Sequence, residues 1–468
     1  MKRELEKIFG ALGDPAAHAA DLTENAPRTP AYVVRATEEE QIPALLKLAT
    51  EHGVPVTPKA TGQNVAGLAI PEEGGIILDL SPLDAVEIDA QNMVAWIGPG
   101  VSWERLKAEC AQHDLAIGFP LAPPDASVMA CALMDGLSTM ALAHGSYADW
   151  VHGVVAYLAD GTRVVTGSAA VSGRPLSRGP LPDLTGLFIS WFGTTGVVVR
   201  MGLALWPLRA HRRREIILCH DTASGFRLMR AGARAGGFDD LGGLGWPAAK
   251  WALGAEELGP RDPAEPELYI LADYGADTKR ELALQRDKLR ALAQAESLPA
   301  PMLVQDLVQL APALEPFAEL PARLGFLLDH PGGGLTWVGT YGPMERLEEG
   351  ARIGARLLEE AGHPPLLVTR PMKGGHYAVL RFIERFNRSD PAEVERIREL
   401  NVALGRALLD LDYVPYKCPD TLLDEVLQRM DPGFRDLMQR VKNAVDPKGI
   451  LSPSRWRLGS PLSENVVL

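Results

Sequence analysis

The groups with the most chemical potential in this 468-residue chain lie in three loops of small residues. The first is Thr57-Pro-Lys-Ala-Thr-Gly-Gln-Asn-Val-Ala-Gly-Leu-Ala-Ile-Pro71, between apolar runs at 54–56 and 75–80 that read as strands. A glycine-broken turn at the end of a sheet presents unpaired N–H groups in a concave loop, and such a loop attracts an anion, above all a phosphate or pyrophosphate. The same string also suits a plain turn. The second loop, 118–133, carries Pro120, Pro123 and Pro124 among small residues, so its backbone can lie flat against a ligand. The third, Gly193-Thr-Thr-Gly196, precedes a β-branched strand. Three such loops aimed at one end of a sheet say more than any one alone.

The elements that would position these loops follow from periodicity. Thr37 to Glu40 has capping-box spacing ahead of Ile42, Leu45, Leu46 and Ala49, which recur at helical spacing until Gly53. Strands are expected over 31–35, 86–88 and 93–97, and a helix from Ser102 carries Leu106 and Cys110. Asp160-Gly161 between β-rich runs predicts a hairpin. Beyond Pro207 the texture changes to strands at 214–219, 268–274, 334–341 and 365–369. Helical spacing covers 221–235, 278–295, 344–361 and 391–409, and again 422–430 and 434–445 near the end. A sheet covered by helices on one face, in two similar halves, is the economical reading. Within it, His376 and Arg381 are expected at a strand-to-helix transition, as structural groups or as cap-side pocket wall. Trp337 and Tyr341 alternate on a strand, as core or as pocket. Asp125 is either a base or a plain turn residue.

Length sets two domains as the expectation, and 46% apolar with 23% charged residues is a globular composition. A net charge of −13 argues against general nucleic-acid binding and anionic membrane surfaces. Cys110, Cys131, Cys219 and Cys418 form no CxxC pair, so the usual ligand spacing of a zinc site or iron–sulfur cluster is missing and no metal is expected. The charged N-terminus lacks a signal-peptide pattern and no run reaches membrane-spanning length, so the cytoplasm is the expected location.

Taken in order, KATGQNVAG, GGIILDLS, GPGVSWERL, APPDASV, GSYADWVHGVVAYLADGTRVVTG, DLTGLF, GTTGVV and DPKGILSPSRW resemble the FAD-binding flavoproteins of the vanillyl-alcohol oxidase and p-cresol methylhydroxylase (PCMH) superfamily. The resemblance implies an α+β fold. A two-part PCMH-type FAD-binding domain would be formed by residues 1–207 and a returning segment, 413–468. Between them, 208–412 would be an inserted α/β cap of antiparallel sheet covered by helices. It would put the FAD pyrophosphate on Lys59, Ala60, Thr61, Gly62, Gln63, Asn64 and Val65. Segments 123–136 and 193–197, with Pro124, Ser127, Gly193, Thr194, Gly196 and Val197, would line the rest of the cofactor, and Arg455 would stand near the flavin.

In the cap and tail, 332–339, 387–393, 413–417 and 441–447 are similar to the branch acting on para-substituted phenols. There the pair matching Tyr416 and Lys417 holds the substrate phenolate, and Tyr147 falls near another active-site tyrosine. This chain departs from the pattern in two ways. No tyrosine stands beside the first loop, which reads Val65-Ala-Gly-Leu68, and Lys417 replaces an arginine whose fork it cannot reproduce. Relatives that attach FAD covalently use a first-loop histidine, here Gln63, or a cap residue near Leu327 and Gly334. Dissociable, noncovalent FAD is therefore expected, with His330 read as a loop residue. The expected activity is hydride transfer from a para-substituted phenol or related alcohol to the flavin. The alternatives are a 2-hydroxy-acid dehydrogenase, for which Pro371 to Tyr377 offers a single histidine, His376, and a flavin subunit of a larger complex. A small-molecule substrate, an electron-acceptor protein or partner subunit, and a homo-oligomer complete the expectation.

Overall fold

The computed structural model describes residues 1–63, 66–71, 74–318, 320–321 and 325–458. A parallel sheet of three strands sets Ile76–Asp79 between Tyr32–Arg35 and Val56–Lys59. Ile76, Ile77 and Leu78 are fully buried, as a strand covered on both faces requires. The helix Gln41–His52 links the first two of these strands in sequence and buries Ile42, Leu45 and Leu46. Its start differs from the expected capping box. Gln41 Oε1 accepts from the N–H groups of Thr37 (2.8 Å) and Glu38 (3.1 Å), which leaves Glu40 exposed.

Beside it lies an antiparallel sheet of five strands in the order Val86–Asp89, Val94–Ile97, Val197–Ala204, Val151–Tyr157, Arg163–Val165. The expected hairpin turn closes on Gly161, whose φ of 82° suits glycine and whose N–H donates to Leu158 O at 2.9 Å. The helix Trp103–Ala111 starts at Ser102, whose side chain accepts from Arg105 N–H at 3.2 Å. The tail returns to the first sheet, where Val56 N–H donates to Ile450 O (2.7 Å) and Ser452 N–H to Val56 O (2.9 Å).

The largest sheet has eight strands. Two runs of strand, helix, two strands and helix build most of it. The first is His211–Cys219, Thr222–Ala235, Asp240–Gly245, Leu268–Ala276 and Lys279–Ala295. The second is Gly334–Gly342, Leu347–Glu360, Leu366–Met372, Tyr377–Phe386 and Pro391–Leu409. The halves meet where Asp240–Gly245 pairs antiparallel with Leu366–Met372, through Gly243 opposite Thr369 and Leu244 opposite Val368. Strand order is thus mirrored about the seam. The four helices bury one face around Leu241, Ile270, Leu367 and Phe382. Val414–Pro415 adds an edge strand from the tail.

One element departs from expectation. Tyr377–Phe386 is a ten-residue strand, so Arg381 sits at mid-strand rather than at a strand-to-helix transition. The strand is buried on both faces, so its sequence shows no alternation to read. Among the described residues no helix is long and apolar enough to cross a membrane.

Candidate functional site

The second face of the large sheet and the loops of the two smaller sheets enclose a cavity of about 530 Å³, a size typical of ligand sites. From the first loop, Lys59, Ala60, Thr61, Gly62 and Gln63 line it, with Pro124, Ser127, Gly193 and Gly196 from the other two. The loops interlock, since Ser127 N–H donates to Thr61 Oγ1 at 3.0 Å and Gln63 Nε2 to Asp125 Oδ2 at 2.8 Å. Gly193 has a φ of 79° and lies so close to Pro58 and Ser452 that a Cβ there would stand 2.9 Å from each.

Among the described residues, the N–H groups of Thr61, Gly62, Gln63, Gly193, Thr195 and Gly196 have no hydrogen-bond acceptor in the protein. This donor set fits a pyrophosphate. Lys59 adds a half-buried ammonium, 3.1 Å from His18 Nδ1, whose pKa burial lowers. The flat proline and alanine walls fit the remainder of a dinucleotide, so the residues present suit FAD.

Another part of the cavity wall is the inner face of the cap sheet. Leu335, Trp337, Val368, Arg381 and Ile383 line it from adjacent strands, with Lys417 from the tail. Tyr416 is not itself on the lining; it lies behind Arg381, whose NH2 donates to Tyr416 Oη. Tyr416 lies over Gly339, where a Cβ would approach its ring to 2.7 Å, and stacks on Tyr341 at 4.6 Å. Trp337 lies beneath both cations, its ring centroid 4.8 Å from Arg381 and 5.2 Å from Lys417. Burial lowers the Lys417 pKa to about 8; Cys131 works against the shift and Arg381 adds to it. The one acid lining the cavity among the described residues, Asp125, is engaged by Gln63.

Several expected residues lie elsewhere. Tyr147 is fully buried away from the cavity lining, donating to Gly118 O at 3.1 Å and packed on Trp103 and Trp150. Arg455 also lies off the lining. Its guanidinium pairs with Asp420 at 2.7 Å and donates to Gly67 O (2.8 Å) and Ile70 O (3.1 Å), so it fastens the tail to the first loop. Thr194 and Val197 are buried behind the third turn. His376 is exposed. Asn64 and Val65 lie outside the described residues.

The sequence reading did not place Leu22 on the lining, and it left Trp337 and Arg381 open. The usable signal was the pair of same-face series Trp337, Gly339, Tyr341 and Val379, Arg381, Ile383, which the register sets side by side.

Comparison with known proteins places these features in context. Residues 30–167 match the family model described as an FAD binding domain. The chain is 30% identical over 210 residues to D-lactate dehydrogenase of Archaeoglobus fulgidus, covering 44% of this chain and 46% of the relative. It therefore matches only about half the length of that relative. It is 23% identical to the flavoprotein subunit of 4-cresol dehydrogenase (hydroxylating) of Pseudomonas putida, covering 92% of this chain and 88% of the other. The crystal structure of p-cresol methylhydroxylase with substrate bound superposes with a TM-score of 0.86 at 19% identity, covering 97% and 96% of the two chains. Residues 30–167 are thus an FAD-binding domain, and the chain as a whole has the fold of the p-cresol methylhydroxylase-type flavoproteins.

Proposed function

We propose that the protein is an FAD-dependent oxidoreductase that takes a hydride from a para-substituted phenol or related alcohol, with FAD held noncovalently. The observation that carries this reading is a pair of cations, buried Arg381 and part-buried Lys417, on the wall of the same cavity that the pyrophosphate-type loops line. When bound, FAD supplies the hydride acceptor. Lys417 and Arg381 stabilise an oxyanion by charge, and Tyr416 holds Arg381 from behind. Electron release from a phenolate favours departure of hydride from the benzylic carbon. Leu121, Leu244, Leu335, Val368 and Phe326 provide an apolar wall for the ring and exclude water.

Residue chemistry supports dissociable FAD. Gln63 and Leu327 on the lining carry no nucleophile, and the His330 nitrogens face Pro331 O and Gly334 O at 3.1 Å. Burial pushes the Cys131 thiol up and keeps it protonated.

A 2-hydroxy acid is the second reading, because its carboxylate suits the same cations and the D-lactate dehydrogenase resembles this chain over 210 residues. A substrate of lactate size would leave the apolar wall unfilled, which favours the phenol. Anaerobic mixing of the FAD-loaded protein with 4-alkylphenols, 2-hydroxy acids and sugar alcohols tests the choice. Bleaching of the flavin by the phenols is expected, and bleaching by hydroxy acids alone would overturn it.

A further inference from the structure

We propose that Glu24 and Glu384 hold one proton between them, and that ionising the second carboxyl group loosens residues 21–25, a strap along the edge of the cap sheet, from the cavity wall. Glu24 is 2% exposed and Glu384 is 1% exposed. Glu384 lies directly opposite Thr336 in the strand register, and the Thr336 hydroxyl donates to Glu24, so both acids stand beside one threonine. From the helix Pro391–Leu409, Asn401 Nδ2 donates to Glu24 Oε1 at 3.0 Å. Glu24 Oε2, both Glu384 oxygens and Asn401 Oδ1 are left buried without a donor among the described residues. All four are acceptors, and what they lack is a proton. A carboxyl O–H on one acid supplies it, whereas two carboxylates in one buried site repel.

The cations that reach the strap serve other groups. Arg398 donates to Glu24 O (2.6 and 3.0 Å) and pairs with Glu395 at 3.0 Å. Arg388 donates to the carbonyls of Asp21 and Gly332. Asp21, the strap's other acid, accepts from the N–H groups of Thr23 (2.9 Å) and Gly67 (2.9 Å), and its charge adds to the repulsion at Glu24. Burial, and then the charge on Glu24, push the Glu384 pKa well up from its ordinary value. Burial also raises that of Glu24, against the bonds from Thr336 and Asn401.

Of the two acids, Glu24 is the one free to move. Glu384 is fixed on Tyr377–Phe386, a strand paired on both sides. The strap is held by isolated hydrogen bonds, from Leu335 N–H to Leu22 O at 2.9 Å and from Gly67 N–H to Asp21 Oδ2. A second charge is therefore relieved by displacing Glu24, and Leu22, which lines the cavity two residues away, goes with it. The folded chain favours the protonated pair. Its contribution to stability is complete at acid pH and is lost as pH rises from the ordinary glutamate value of 4.5 through the raised one.

Urea unfolding of the intact chain between about pH 5 and pH 8 tests this on the wild type, Glu384→Gln and Glu24→Gln. Other titrating groups are common to all three, so the difference in slope isolates the pair. The wild-type folding constant is expected to fall with pH more steeply than that of Glu384→Gln, by up to about tenfold per pH unit, the value for one proton. Hydrogen exchange is expected to show the Leu335 and Gly67 amides losing protection with rising pH in the wild type and not in Glu384→Gln. Equal slopes would overturn the shared proton, and a steeper slope without that local loss would overturn the strap. Stabilisation of the wild type but not of Glu384→Gln by calcium, magnesium or potassium would put a metal ion where the proton is proposed and overturn it too. If Glu384→Gln does not fold, Glu24→Gln carries the comparison. Its slope is expected to be shallower than the wild type's, because Glu384 has lost its charged neighbour, and an equal slope overturns the proposal.

Discussion

Lys417 is expected to set the pH dependence of anion binding in the cavity. Its pKa is lowered to about 8, mainly by burial. The ammonium is charged below that value and is lost as pH rises through it. Benzoate stays ionised throughout this range, so its affinity for the FAD-loaded protein is expected to fall above about pH 8. In Lys417→Arg the guanidinium stays charged and the fall should disappear; a flat profile in the wild type would remove Lys417 from the site. Tyr416 and Lys417 were singled out together in sequence as neighbours in one short string, and of the two only Lys417 is on the cavity lining. Arg381 was left open as structural or pocket wall, since its bond to Tyr416 spans 35 residues of chain and only the strand register brings it there.

The turns were the most legible elements, because glycine, proline and β-branched residues leave local marks. What holds the third turn was not legible. Lys442 is fully buried on the helix Pro432–Val445 and donates to Thr194 O (2.8 Å), Leu451 O (2.8 Å) and Asp446 Oδ2 (2.6 Å). It reads in sequence as one polar position of an amphipathic helix. Lys442→Met would leave the Asp446 carboxylate buried without its cation, a loss of about 3–5 kcal/mol. A fall in the urea midpoint together with weaker FAD binding is expected. A loss of stability without any change in FAD affinity would show that the turn holds its shape without this clamp. The strand Tyr377–Phe386 was illegible for a different reason, because burial on both faces erases the alternation that marks a strand.

At the scale of the whole molecule the cap and the FAD-binding part are stitched together on several sides of the cavity. Tyr341 Oη donates to Asp135 O at 2.6 Å, and Lys373 pairs with Asp149 at 2.6 Å. Arg370 donates to Ser138 O and lies 3.2 Å from Asp240. An N-terminal strap joins both sides, as Asp21 Oδ2 accepts from Gly67 N–H (2.9 Å) and Glu24 O from Arg398 (2.6 Å). Such long-range pairings carry no local signature, which is why the strap could not be read from the sequence. FAD bound among these parts should stabilise all of them by mass action, by about 2.7 kcal/mol at a hundredfold excess over its Kd. The most direct measurement is a titration of the flavin-free, folded protein with FAD, followed by flavin absorbance and thermal unfolding. The account predicts saturation at one FAD per chain, a higher Tm, and full release of the flavin on acid precipitation. A folded protein that takes up no flavin, with an unchanged Tm, would contradict it.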